Sequence, residues 1–314
     1  MKRIVHILVF ILAIISADRL YAQRETMYAH YMFNILEINP AYAGSRNSLS
    51  LISLNRSHWT LVFDKAPITQ SLNFHMPTDR DNVGVGFSFR SERYGPESTT
   101  SFYGDYSYRV NVTHDTYLRF GLKAGVSVYD VPLTQLIIDD PSDPAFASDI
   151  VSHWLPNFGF GLYYTSDNLF MGLSIPKMLE VNYFDNSLTA GVRTILQRRN
   201  YFFTAGWVFE LNPDIKIIPT TYMRYQQDSP FEADITANLV LFDRMSAGVI
   251  LRFQDAMGMM VGLWITENWS VNYSFDWAIL NRVPSFNFGS HELVIRYDLN
   301  LLHSHRGRGG PPHF

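Results

Sequence analysis

The sequence predicts an all-β protein, a transmembrane antiparallel β-barrel of fourteen strands. Three observations carry that expectation. Apolar and polar residues alternate strictly in short stretches from about residue 48 to residue 300, turn signals separate the stretches, and an apolar leader stands in front of them. Successive side chains of a strand point to opposite faces, so each stretch has one greasy face and one polar face. Serial two-faced strands behind a leader fit a barrel with lipid outside and a wet lumen inside.

The leader comes first. Lys2 and Arg3 precede the apolar run Ile4–Ile15, and Leu20-Tyr21-Ala22 stands before Gln23. A basic start, an apolar run of about a dozen residues and a small residue at the cut predict a signal peptide over 1–22. The run is too short for a spanning helix, which needs roughly 20 apolar residues. The leader's Lys2, Arg3, Asp18 and Arg19 sum to +2, so cleavage takes the formal charge from −4 to −6. Residues 23–47 do not alternate, and are expected either to plug the lumen or to form a periplasmic lead-in. The barrel is assigned to 48–300, and 301–314 to a flexible basic tail.

Within the barrel the alternation is clearest at 115–128. There Leu118, Phe120, Leu122, Ala124, Val126 and Val128 oppose Arg119, Gly121, Lys123, Gly125 and Ser127. Phe102, Tyr106, Tyr108 and Val110 oppose Tyr103, Asp105, Ser107 and Arg109. Ile235, Ala237 and Leu239 oppose Asp234, Thr236 and Asn238, and Leu293, Ile295 and Tyr297 oppose Glu292 and Arg296. Fifteen candidate strands result, near 48–57, 67–77, 82–91, 99–112, 115–128, 156–166, 168–176, 187–196, 200–211, 214–226, 230–241, 244–254, 257–267, 268–277 and 291–300. Single-chain bacterial barrels have an even number of strands, with short periplasmic turns and longer outer loops. The candidate at 187–196 is broken in its alternation, and omitting it gives fourteen, with sixteen as the alternative. Periplasmic turns then fall near Pro77–Asn82, Thr113–Asp115, Thr165–Asn168, Asn212–Asp214, Phe242–Arg244 and Thr266–Asn268. The outer connections include 129–155, 177–199 and 278–290.

Composition excludes several classes. No window outside the leader holds about 18 uncharged apolar residues, so a helical membrane protein is excluded. The mean hydropathy of −0.05 suits a barrel, which needs only one apolar face per strand. Aromatic residues make up 15% of the chain, which suits the girdles that barrels carry at both lipid interfaces. The absence of cysteine removes thiol redox chemistry and cysteine zinc sites. An acidic chain is not a nucleic-acid binder.

Candidate chemistry is sparse. Asp139, Asp140, Asp143 and Asp149 form an acidic cluster between prolines, but without the spacing or glycine of a calcium loop. His303, His305 and His313 lie in the tail. No nucleophile elbow, HExxH pair or P-loop is present. No catalytic, cofactor or metal residues are assigned, and no cofactor is expected. On the polar faces Arg90, Asp105, Arg109, Arg119, Lys123, Arg224, Glu232, Asp234, Arg252, Asp276 and Glu292 either line a selective path or pair across a closed interior. The second arrangement is the commoner one.

Several ordered stretches resemble the PorP/SprF family of type IX secretion system outer-membrane proteins. They are Tyr31-Met32-Phe33-Asn34, Asn39-Pro40-Ala41-Tyr42-Ala43-Gly44, Ala66-Pro67-Ile68-Thr69-Gln70-Ser71, Ser101-Phe102-Tyr103-Gly104-Asp105-Tyr106 and Asp143-Pro144-Ala145-Phe146. Pro156-Asn157-Phe158-Gly159-Phe160-Gly161-Leu162-Tyr163-Tyr164, Gly172-Leu173-Ser174-Ile175-Pro176-Lys177, Tyr273-Ser274-Phe275-Asp276 and Gly289-Ser290-His291-Glu292-Leu293 follow. The resemblance covers the mature chain, and Asn39–Gly44 is its most specific element. Ile35–Ile38 departs from it, as does the basic Gly/Pro/His tail.

The resemblance implies a non-enzymatic outer-membrane barrel working with the type IX machinery, with a partner recognised through a C-terminal sorting domain for translocation or surface display. It offers no catalytic residues. A porin-like or ligand-uptake channel is the alternative, and a barrel hydrolase a weaker third. Which residues bind the substrate stays open. Asn39-Pro40 and Gly44 are also turn signals in their own right, and Gly159, Gly161 and Gly172 suit a bend of the wall or the close approach of a plug.

Overall fold

A computed structural model describes residues 28–46, 48–58, 66–78, 82–135, 149–185, 192–227, 229–253, 255–279 and 289–299. The leader 1–22, the tail 301–314 and Asp139, Asp140 and Asp143 lie outside the described residues. So do His303, His305 and His313.

The strands are β1 (Leu49–His58), β2 (Ile68–Pro77), β3 (Val83–Tyr94), β4 (Glu97–Asn111), β5 (Tyr117–Val131), β6 (Ile150–Thr165), β7 (Leu169–Ile175), β8 (Val181–Asp185) and β9 (Val192–Gln197). Then come β10 (Asn200–Trp207), β11 (Phe209–Asn212), β12 (Ile215–Gln226), β13 (Glu232–Leu241), β14 (Met245–Arg252), β15 (Ala256–Trp264), β16 (Trp269–Ala278) and β17 (Ser290–Leu299). Each wall strand pairs antiparallel with its neighbour, and β1 closes on β17 from Leu49↔Leu299 to His58↔Ser290. β10 and β11 are one stave interrupted at Val208, since both pair with β12. With that stave counted once the barrel has fourteen. Closure leaves no sheet edge for lipid to meet, which is why strands can cross a bilayer at all.

The stretch 187–196, omitted from the fourteen, is outside the wall as expected; its C-terminal part forms β9, which pairs with β8 in a separate hairpin. One strand expectation is corrected. The outer connection placed at 129–155 is shorter, because β5 continues to Val131 and β6 begins at Ile150. Tyr129, Val131 and Leu155 form a small buried cluster there, so this part of the hairpin packs a core of its own. The six turns expected together do lie at one end, at 78–82, 112–116, 166–168, 213–214, 242–244 and 265–268. The strand ends that bound the longest connections, Val131 and Ile150, Ile175 and Asn200, and Ala278 and Ser290, all lie at the other end. By the short-turn rule the first end is periplasmic and the second faces outward.

Burial inverts the pattern of a water-soluble domain. Leu122 is 58% exposed, Met259 59% and Val261 56%, while Asp105, Lys123, Arg224 and Glu292 are buried. Trp207, Phe209 and Trp269 face outward near the periplasmic turns, and Trp154, Tyr201 and Tyr225 near the other end, as interfacial girdles require. Leu122→Arg should therefore cost about 2–4 kcal/mol if its site lies near the bilayer midplane. Ser127→Arg keeps the charge inside, though Ser127 is buried and bonds Ser101 at 2.8 Å. Heat-modifiability of the two variants in lipid checks this; equal assembly of Leu122→Arg and the parent would contradict the assigned face.

Candidate functional site

The polar face of the wall is buried because residues 28–46 run through the lumen. The segment begins with Tyr28 near the outer end and reaches the periplasmic end at Arg46, where it turns into β1. Its one-turn helix α1 (Ile35–Ile38) buries Ile35, Leu36 and Ile38. A single turn of 3₁₀ helix, Pro40–Tyr42, follows. Asn39 caps it, its Oδ1 accepting from Ala41 N–H at 3.0 Å while its Nδ2 donates to the Leu162 carbonyl at 2.9 Å. Gly44 then turns the chain with φ +63°, a backbone conformation that glycine adopts without strain.

Irregular backbone inside a barrel must have its polar groups satisfied from outside the segment. The wall does this with side chains. Lys123 Nζ donates to Leu36 O at 3.3 Å, Ser174 Oγ to Ile38 O at 2.7 Å, and Ser107 Oγ to Ala43 O at 2.6 Å. Asn34 bonds Ser71 and Asn73, and Tyr31 stacks on Tyr222 at 4.9 Å with its hydroxyl 2.7 Å from Thr220. Glycines make room for the closest approaches. A Cβ at Gly121 would overlap the backbone of Pro40 and Ala41, and one at Gly161 would overlap Asn39. Gly84 meets the Ala43 carbonyl in the same way. Gly172 also lies against Asn39, whereas Gly159 meets the Ile175–Pro176 backbone instead.

Charge neutralisation dominates the outer half. Glu292 accepts from Ala29 N–H at 3.0 Å, His30 N–H at 2.7 Å and Arg56 at 2.9 Å. Arg56 also meets Asp276 at 2.7 Å, and Arg252 meets Asp234 at 3.1 Å and Asp276 at 3.7 Å. Lys123 pairs with Asp105, Arg224 with Glu232, and Arg90 with both Glu92 and Glu37. Of the eleven charges read from the strand faces, only Arg109 and Arg119 make no ion pair among the described residues. Sequence reasoning missed Arg56, Glu37 and His30. The first lies on a strand whose inner face also carries Ile52 and Leu54, and the other two lie in the non-repeating segment. The gap beside Tyr28, Arg90, Tyr103 and Phe202 measures about 30 Å³, a water-sized space.

No group of three metal-type side chains occurs among the described residues. Asp149, the described member of the acidic cluster, accepts from Thr134 N–H at 2.8 Å in the outer connection.

A family model described as "Type IX secretion system membrane protein PorP/SprF" matches residues 20–297. No match to a curated protein was found. Among solved structures, the chain is similar to the CymD monoaromatic hydrocarbon channel, with 10% identity, TM-score 0.49 and coverage of 91% of this chain and 96% of that one. It is similar to the toluene transporter TbuX of Ralstonia pickettii, with 10% identity, TM-score 0.48 and coverage of 83% and 92%. The outer membrane protein Omp33 of Acinetobacter baumannii gives 8%, 0.46, 82% and 100% in the same order. Likeness at this level extends to no ligand of those channels; the closed ring rests on the strand pairing itself.

Proposed function

This chain belongs to the PorP/SprF family of type IX secretion system membrane proteins, and we propose that it binds a secreted protein through its C-terminal sorting domain for translocation or surface display. The observation that supports this reading is the occupied lumen. Residues 28–46 pack against the inner face of the wall, which supports a working surface outside the lumen. The strand ends Val131 and Ile150, Ile175 and Asn200, and Ala278 and Ser290 bound the longest connections at the outer end, and those connections are the surface proposed for it. Recognition of a folded domain takes about 800 Å² per partner, more than a short turn provides. The part is one of binding and handover within the secretion machinery, with no reaction assigned to it.

Comparing the surface proteomes of a gene-deletion strain and its parent tests the proposal. One or a few secreted proteins should vanish from the surface while uptake of small solutes stays the same. An unchanged surface proteome with a lost uptake phenotype would reject secretion in favour of a porin-like channel.

A further inference from the structure

The periplasmic end of the lumen holds a second feature, unrelated to sorting-domain recognition. Arg109 on β4 and Arg119 on β5 stand directly opposite each other in register, and Tyr163 on β6 stands opposite Arg119. All three lie one inward-facing position below the wall residues that touch the plug: Ser107, Gly121 and Gly161. Like charges directly across a strand pair are destabilising. Arg119 is only 3% exposed, yet it has no carboxylate partner among the described residues. Arg109 lies with its Cζ 4.9 Å from the Tyr117 ring, a cation–π contact that supplies no counter-charge. Asp115 and Asp167 in the turns below are exposed and pair with neither arginine.

Further polar atoms around this point are also unpartnered. The Tyr163 hydroxyl is buried without a partner, as are both ring nitrogens of His75. Tyr42 lies between them, 5.4 Å from Tyr163 and 5.2 Å from His75 by ring centroids. Nearby Asp298 is shared by Arg46 at 3.2 Å and Arg296 at 3.0 Å, so it has no lone charge to offer. Inside the wall at this end, the described residues therefore set four arginines against one carboxylate. Buried polar atoms without partners are rare in native proteins, and each calls for a physical reason.

We propose that Arg109, Arg119 and Tyr163 bind one oxyanion, a carboxylate or a phosphate group, admitted from the periplasmic end. Guanidinium groups match planar and tetrahedral oxyanions with paired N–H bonds, and the bound charge would remove the Arg–Arg repulsion. The test uses the full mature chain refolded in detergent micelles. Thermal unfolding is followed with inorganic phosphate or a hexaglutamate peptide, against sodium chloride at matched ionic strength. A saturable gain in stability is expected. A response to phosphate identifies a free ion, and a response to the peptide alone identifies an acidic protein segment; either supports the site. Arg119→Gln should bind about tenfold more weakly, and without ligand should melt no lower than the parent because a like-charge pair is gone. Arg109→Gln, altered at the half-buried rim, gives the same comparison should Arg119→Gln fail to refold. No saturable response to either probe, or an unchanged response in the variants (an adventitious ion only), would overturn the proposal.

Discussion

Gly121→Val should open the barrel. A Cβ added at Gly121 would overlap Ala41 N and Cα and the Pro40 carbonyl carbon, all of them backbone. No rotamer change relieves such an overlap, and overpacking a fitted site typically costs about 1–3 kcal/mol. The wall is held by continuous ladders on both sides of β5, whereas the plug is held there by individual side-chain bonds. The plug should therefore yield before the wall does. In planar bilayers the parent should show no steady conductance, and the variant a persistent one. Gly104→Val is the control, because a Cβ at Gly104 meets nothing nearer than 3.9 Å. It should stay closed. A silent Gly121→Val, or equal conductance in parent and variant, would refute the plug as the seal.

The second large effect is expected at Glu292. Its carboxylate is fully buried and takes two backbone N–H groups of the plug together with Arg56. Removing one partner of a buried ion pair usually costs about 3–5 kcal/mol, because the remaining charge keeps its desolvation penalty. Glu292→Ala should lower stability by that order and free the start of the plug. Glu292→Gln, which still offers an oxygen acceptor, should lose less. Since Asp276 also contacts Arg56 at 2.7 Å, the arginine is not left wholly bare. Arg56→Met combined with Glu292→Ala should recover part of the loss, and urea titrations of the four proteins measure the coupling. Strictly additive losses would mean that Arg56 and Glu292 act independently.

The exterior of the molecule was legible in the sequence because lipid imposes a period of two on every stave. Phe102, Tyr106 and Tyr108, or Leu293 and Ile295, need no tertiary knowledge to be placed outside. The parity of short and long connections carried the count to fourteen. The plug was harder to read, because residues 28–46 repeat nothing; their side chains answer to several strands at once. Tyr31 reaches Thr220, Asn34 reaches Ser71 and Asn39 reaches Leu162, contacts that no local pattern encodes. β1 hides its role for a related reason. Ile52 and Leu54 point inward although they are apolar, since what they meet is the plug rather than water. Of the interior glycines read in advance, Gly161 and Gly172 do lie against Asn39 of the plug, but the equally close approaches at Gly84 and Gly121 were not singled out.

The plug is joined directly to β1, which seals the ring by pairing with β17, the last stave. That continuity favours one order of assembly. Once β1 and β17 have paired along their length, a segment running from the outer end to the periplasmic end has to be threaded lengthwise to arrive. Seating it before the seam zips avoids that step. The polar inner wall favours the same order, because Ser107, Ser174 and Lys123 gain their carbonyl acceptors only when the segment is present. The ladder between the first and last strands is therefore expected to close around a strut already in place.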